Sequence, residues 1–99
     1  MDFIFGSDSS SKNPIDAEKE RHQKQLQHYQ VQIDDAKSQI EKIKEEMERA
    51  KKNGTLDSNR KKHFQKRIDD FKATIERRKG DIQREKDQHK RNLERLKSK

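Results

Sequence analysis

The sequence predicts an all-α protein, in which two long helices form an antiparallel coiled-coil hairpin behind a flexible N-terminal tail. Three observations lead to this fold class. Only 24% of the 99 residues are hydrophobic and 45% are charged, so a thick core is not available. Apolar residues recur at heptad spacing in two segments, as in coiled coils. A short turn-forming stretch separates these segments, which are about equally long, and a short connection favours antiparallel packing.

The first helix is predicted over residues 14–52. Asn13-Pro14 is a typical helix start, because asparagine accepts hydrogen bonds from the first free N–H groups and proline fits the first helical position. Within the helix, two sets of apolar or small residues are each spaced by seven and offset by three. The sets are Leu26, Ile33, Ile40 and Met47, and Tyr29, Ala36, Ile43 and Ala50. Together they predict one continuous seam.

A loop is predicted over residues 53–57, where Gly54 tolerates the left-handed backbone that ends many helices. Asp57 or Ser58 can then cap a second helix over residues 58–97. The apolar seam of that helix consists of Phe64, Ile68, Phe71, Ile75 and Ile82, and Leu93 and Leu96 lie near the end of the helix. No proline interrupts either helix, so each is expected to be continuous.

Folding the chain at the loop pairs residues whose numbers sum to about 111, and this register matches the two seams. It places Ile43 against Ile68 near the loop and His22 against His89 near the open end. It also predicts two flanking ion pairs, Glu46 with Arg67 and Glu18 with Arg95. Charged residues and histidines enter the seam away from the loop, so the open half is predicted to be less well packed and to fray.

The excess positive charge lies in the second helix. The chain has a net charge of +7; residues 58–99 contain sixteen Lys and Arg against seven Asp and Glu, whereas residues 15–52 contain nine of each. This asymmetry favours a partner with an acidic surface or with phosphates. The candidate partner-binding cations are Lys61, Lys62, Lys66 and Arg67 at the start of the helix, and Arg77, Arg84 and Arg91 at heptad spacing. The alternative is a face that only keeps the chain hydrated.

The N-terminal tail, residues 1–13, begins with an apolar tip. Phe3, Ile4 and Phe5 include two of the four phenylalanines of the chain. Such a tip is predicted to dock in a pocket of a partner or to pack on the open end of the hairpin. The alternative is a terminus without a binding role.

Two Glu-x-x-x-His pairs face each other across the seam in this register: Glu18 with His22, and Glu85 with His89. Two carboxylates and two imidazoles could hold a divalent metal. We favour a polar layer that sets the register, without metal or cofactor. His22 and His89 form a candidate pH-sensitive pair, because two protonated rings would repel each other and open that end at roughly pH 6.

No catalytic motif accompanies these features. The sequence lacks a Gly-rich phosphate loop, a nucleophile elbow, an HExxH motif and any cysteine. It also lacks a secretory signal and an apolar run near the ~18 residues of a membrane span, so a soluble intracellular protein is expected, cytoplasmic by default. The nucleus or an organelle stays open as its compartment.

The expected function is that of a non-catalytic hairpin that interacts with other macromolecules. It would be a small subunit, an adaptor or an inhibitor that docks on a larger assembly through its basic second helix and its apolar tip. The first alternative is a nucleic-acid-associated protein that binds the phosphate backbone. The second is a homodimer in which two hairpins form a four-helix bundle.

Overall fold

A computed structural model describes residues 13–98 of the chain. In this range the chain forms two α-helices, α1 over Pro14–Lys52 and α2 over Ser58–Lys97. The helices pack on each other in antiparallel orientation, which confirms the predicted fold class. Of the predicted tail, residues 1–13, the structure describes only Asn13. The apolar tip at residues 3–5 therefore lies outside the described residues. Neither α1 nor α2 contains a stretch long and apolar enough to cross a membrane.

The starts of both helices are set by side-chain caps. The N–H of Asp16 donates to Asn13 Oδ1 at 2.8 Å, and Pro14 follows the cap in the first helical turn. At the start of α2, the N–H of Arg60 donates to Asp57 Oδ1, also at 2.8 Å. Each cap satisfies one of the N–H groups that lack a partner within the helix. Short-range sequence therefore decides where both helices begin.

The chain reverses direction after α1 through a Schellman motif. Gly54 adopts a φ of 72°. Its N–H donates to the carbonyl of Lys51 at 3.2 Å, and the N–H of Thr55 donates to the carbonyl of Ala50 at 2.9 Å. These two bonds satisfy carbonyls that would otherwise lack a partner at the helix end. The turn thus directs α2 back along α1.

The apolar core lies in the half of the hairpin next to the loop. Its centre is a cluster of four buried side chains, Ile40, Ile43, Phe64 and Ile68, with Met47, Leu56, Phe71 and Ile75 packed around it. Ile43 is only 1% exposed. Ile33 and Ala36 extend the buried seam of α1 toward the open end. Since burial of apolar side chains is the main stabilising force, this half holds the hairpin together.

Gly80→Ala is expected to stabilise the hairpin by about 0.5–1 kcal/mol, because a helix-interior glycine costs conformational entropy. A Cβ at position 80 would meet only Arg84 Nη1, at 3.8 Å, an ordinary contact. Gly54→Ala is the control of opposite sign: its left-handed φ should cost an alanine about 1–2 kcal/mol. Urea denaturation measures both. A destabilised Gly80→Ala variant would mean that α2 needs close backbone approach at this position.

Candidate functional site

A polar cluster closes the seam near the open end of the hairpin. We define the open-end cluster as Glu18, Arg21 and His22 of α1 with Glu85 and His89 of α2. The two imidazole rings stack face to face, with centroids 3.8 Å apart and planes 2° from parallel. The two histidines thus meet across the seam in the register derived from the heptads.

Each histidine bonds to the carboxylate of the opposite helix. His22 Nδ1 lies 2.8 Å from Glu85 Oε2, and His89 Nδ1 lies 2.8 Å from Glu18 Oε2. A carboxylate ion only accepts hydrogen bonds, so each Nδ1 must carry the hydrogen. The two crossed bonds therefore tie α1 to α2 twice and leave Nε2 as the basic nitrogen of each ring.

Arg21 joins the two carboxylates. It donates to Glu85 from Nη1 at 3.1 Å and from Nη2 at 2.7 Å, and to Glu18 from Nε at 3.0 Å and from Nη2 at 2.9 Å. The glutamate side chains are 10% and 8% exposed, whereas that of Arg21 is 41% exposed. The guanidinium thus covers the carboxylates on the solvent side. We did not single out Arg21 from sequence, although its position three residues after Glu18 places both on one helix face.

The hydrogen bond from Arg21 lowers the pKa of Glu18 to about 2, against the opposing effect of burial, with further bonds from His89 and Asn92. The pKa of Glu85 is also lowered, first by the hydrogen bond from Arg21 and then by that from His22. Bonds to the charged form favour ionisation. Both carboxylates are therefore ionised at neutral pH, although they are largely buried.

The melting temperature is expected to fall as the pH decreases from 4.5 toward 2. The pKa of Glu18 is lowered in the folded state, so its contribution is fully present above its unfolded value of 4.5 and is lost toward about 2. In the Glu18→Gln variant, the melting temperature should fall less over this pH range. Glu45→Gln, at an exposed position of α1, is the matched control. If the melting temperature fell equally with pH in the two variants, Glu18 would not be the source of the acid sensitivity.

Of the two predicted flanking ion pairs, one is confirmed and one is wrong. Arg67 Nη1 lies 3.7 Å from Glu46 Oε2. Glu18 instead bonds to Arg21 and to the histidine across the seam, and Arg95 donates to Asn92 on its own helix. The physical reason is that Glu18 points into the seam, where a nearer cation and an imidazole occupy its oxygens.

A divalent-metal site finds no support within residues 13–98. No group of three or more potential ligands with suitable placement is found there. At the open-end cluster, Arg21 and the two Nδ1–H groups already occupy the carboxylate oxygens. The carboxylate oxygens therefore find their hydrogen-bond partners within the cluster.

The second candidate region is the basic side of α2. Lys61, Lys62, Lys66, Arg77, Arg84 and Arg91 are all exposed, whereas Arg67 is half-buried against Glu46. The structure thus presents six of the seven predicted partner-binding cations to solvent. Arg67 instead forms an ion pair between α2 and α1, so it also contributes to the packing of the hairpin.

The three heptad-spaced arginines share one arrangement, which we call the arginine ladder. Each donates to the side chain three residues before it: Arg77 to Thr74, Arg84 to Asp81 and Arg91 to Gln88. Asp81 also accepts from Arg78 at 2.6 Å. The Arg77–Thr74 and Arg91–Gln88 pairs each carry a charge of +1. Asp81 together with its two arginine partners also carries +1. A seven-residue repeat separates successive groups by about 10 Å along the helix.

The off-seam apolar residues do not form a continuous stripe. Val31 is 66% exposed, Leu56 packs on the core cluster, Ala73 is exposed and Leu93 is half-buried.

Comparison with protein-family models, with curated proteins and with solved structures finds no match to this chain. The interpretation of function therefore depends on the chemistry of the cluster and of the ladder.

Proposed function

We propose that this protein is a non-catalytic helical hairpin that docks on a larger assembly as a small subunit, adaptor or inhibitor. Its partner would be a protein with an acidic surface. The observation that supports this proposal is the arginine ladder, in which Arg77, Arg84 and Arg91 hold three exposed charges at regular spacing on a rigid helix. The apolar tip at residues 3–5 would add a second anchor.

The ladder suits carboxylates because of how the guanidinium groups are held. The planar fork of arginine can bind a carboxylate through two N–H groups. The bond from Arg77 to Thr74 and that from Arg91 to Gln88 restrict each side chain without neutralising it. Less side-chain entropy is then lost on binding, which favours affinity. The charge of α2 would also speed association with an acidic partner.

A nucleic-acid backbone is the second candidate, because phosphates also bind arginine forks. The described aromatic residues argue for the protein partner: Phe64 is 5% exposed, and Tyr29 and Phe71 are half-buried in the seam. Base stacking needs exposed aromatic faces. Contact with nucleic acid would therefore be limited to phosphates and would weaken steeply with salt.

The test is affinity capture from the native source with the wild-type chain and with a variant in which Arg77, Arg84 and Arg91 are changed to glutamine. A matched control carries Lys37→Gln, Lys42→Gln and Arg49→Gln on exposed positions of α1. Each capture is run with and without nuclease treatment, and the bound material is identified by mass spectrometry.

We expect the wild-type chain and the α1 control to capture the same protein partner with and without nuclease. The ladder variant should not capture it. Loss of the captured partner on nuclease treatment would favour the nucleic-acid alternative. In a separate assay, failure of the chain to bind generic RNA or DNA at about 50 mM salt would exclude that alternative. Equal capture by both variants would overturn the role of the ladder. A measured mass of one chain in solution would exclude the homodimeric bundle.

A further inference from the structure

The open-end cluster has three possible charge states, which differ in the number of protons on its two histidines. Glu18 and Glu85 are ionised and Arg21 is positive, so the cluster carries −1 when both imidazoles are neutral. One protonated imidazole brings the cluster to zero. Two bring it to +1 and place two cationic rings in a stack 3.8 Å apart. Histidine is the side chain that ordinarily changes charge between pH 5 and 8.

The first proton strengthens the cluster. It binds at Nε2 of one ring, because each Nδ1–H already donates to a carboxylate at 2.8 Å. That Nδ1–H then comes from a cation, and charge-assisted hydrogen bonds are the shorter and stronger kind. Of the described residues, Glu85 from α2 bonds to the ring of His22 and Glu18 from α1 bonds to the ring of His89, and Arg21 from α1 donates to both of these carboxylates.

The second proton strengthens the Nδ1–H bond of the other ring in the same way, but it also places two cationic rings in the stack, and this repulsion opposes closure. Two like charges at this distance repel, and the repulsion is large where water is largely excluded. The rings are 12% and 16% exposed, so solvent screens them only in part. The single guanidinium of Arg21 adds a third positive charge beside the stack. Separating α1 from α2 at this layer moves His89 away from both His22 and Arg21 and so relieves two of these repulsions.

We propose that the open-end cluster is a proton-operated latch, which stays closed with no proton or one proton on the two histidines and opens the end of the hairpin when both are protonated. Opening stays local, because the apolar core lies at the other end. It would uncover the half-buried Ile15, Leu93 and Leu96 beyond the cluster. This inference does not depend on the proposed partner.

Hydrogen exchange of the full chain at pH 7.5 and pH 5 tests the latch, after correction for the intrinsic pH dependence of exchange. Amides of the turns at residues 22–26 and 85–89 should exchange about tenfold faster at pH 5, relative to those of Ile43 and Ile68 in the core. An NMR titration of the imidazole C–H signals should show the stacked pair taking up its two protons in separate steps. Exposed His28 and His63 serve as internal references.

The matched variants are His89→Gln and His28→Gln. With one imidazole left, the cluster never holds two stacked cations, so His89→Gln should show less than about a twofold change in relative exchange between the two pH values. His28→Gln, at an exposed position of α1, should behave like the wild type. The latch is overturned if relative exchange in the wild type does not change with pH, or if His89→Gln opens as the wild type does.

Discussion

Replacing Ile43 by aspartate is expected to unfold the hairpin. Ile43 is 1% exposed and packs among Ile40, Phe64 and Ile68. The change removes apolar burial and places an unpaired charge in the best-packed layer, which together should cost about 4 kcal/mol or more. A two-helix protein of this size has about 5 kcal/mol of stability or less, so helicity by circular dichroism should collapse at 25 °C.

Val31→Asp is the matched control for this prediction. Val31 lies on the same helix but is 66% exposed, so the same chemical change should alter stability by less than about 0.5 kcal/mol. If Ile43→Asp melted with the wild-type midpoint, the core and its register would be wrong. If both variants unfolded, the seam of α1 would be wider than the structure indicates.

Arg21→Met is expected to destabilise the hairpin by about 1–3 kcal/mol at pH 7, because it leaves Glu18 and Glu85 ionised and largely buried without their shared cation. The low end of this range is favoured, since the Arg21 side chain is 41% exposed and water can replace some of its bonds. Methionine keeps an unbranched apolar stem at this position. Urea denaturation at several pH values measures the effect.

The defect of Arg21→Met should depend on pH in a defined direction. Arg21 is the main cause that lowers the pKa of Glu18, so its loss removes stability that the wild type has above pH 4.5. Wild type and variant should therefore converge as the pH falls toward 2. Lys24→Met is the control, because Lys24 is 74% exposed and pairs with Glu20 at 3.4 Å. Equal effects of the two substitutions at pH 7 would show that Arg21 is an ordinary surface cation.

Much of the candidate site followed from periodicity. The heptads on two segments set a register, and this register alone brings Glu18, His22, Glu85 and His89 together near the open end. The direction of each hydrogen bond did not follow, because Glu18 has several cations within reach of a flexible side chain. The expected partner Arg95 was wrong for this reason, and Arg21 was missed.

Local sequence sets the two helices, their caps and the turn between them, because Asn13, Gly54 and Asp57 act through bonds that span five residues or fewer. The heptads determined which faces meet. How the polar half of the seam is closed depends on the packing of α1 against α2. Arg21 reaches both carboxylates only when α1 and α2 lie side by side, since one of its partners is 64 residues away in the chain. The open half of the hairpin is therefore polar, as the sequence indicates, but it is held by a charge network that exists only in the folded state.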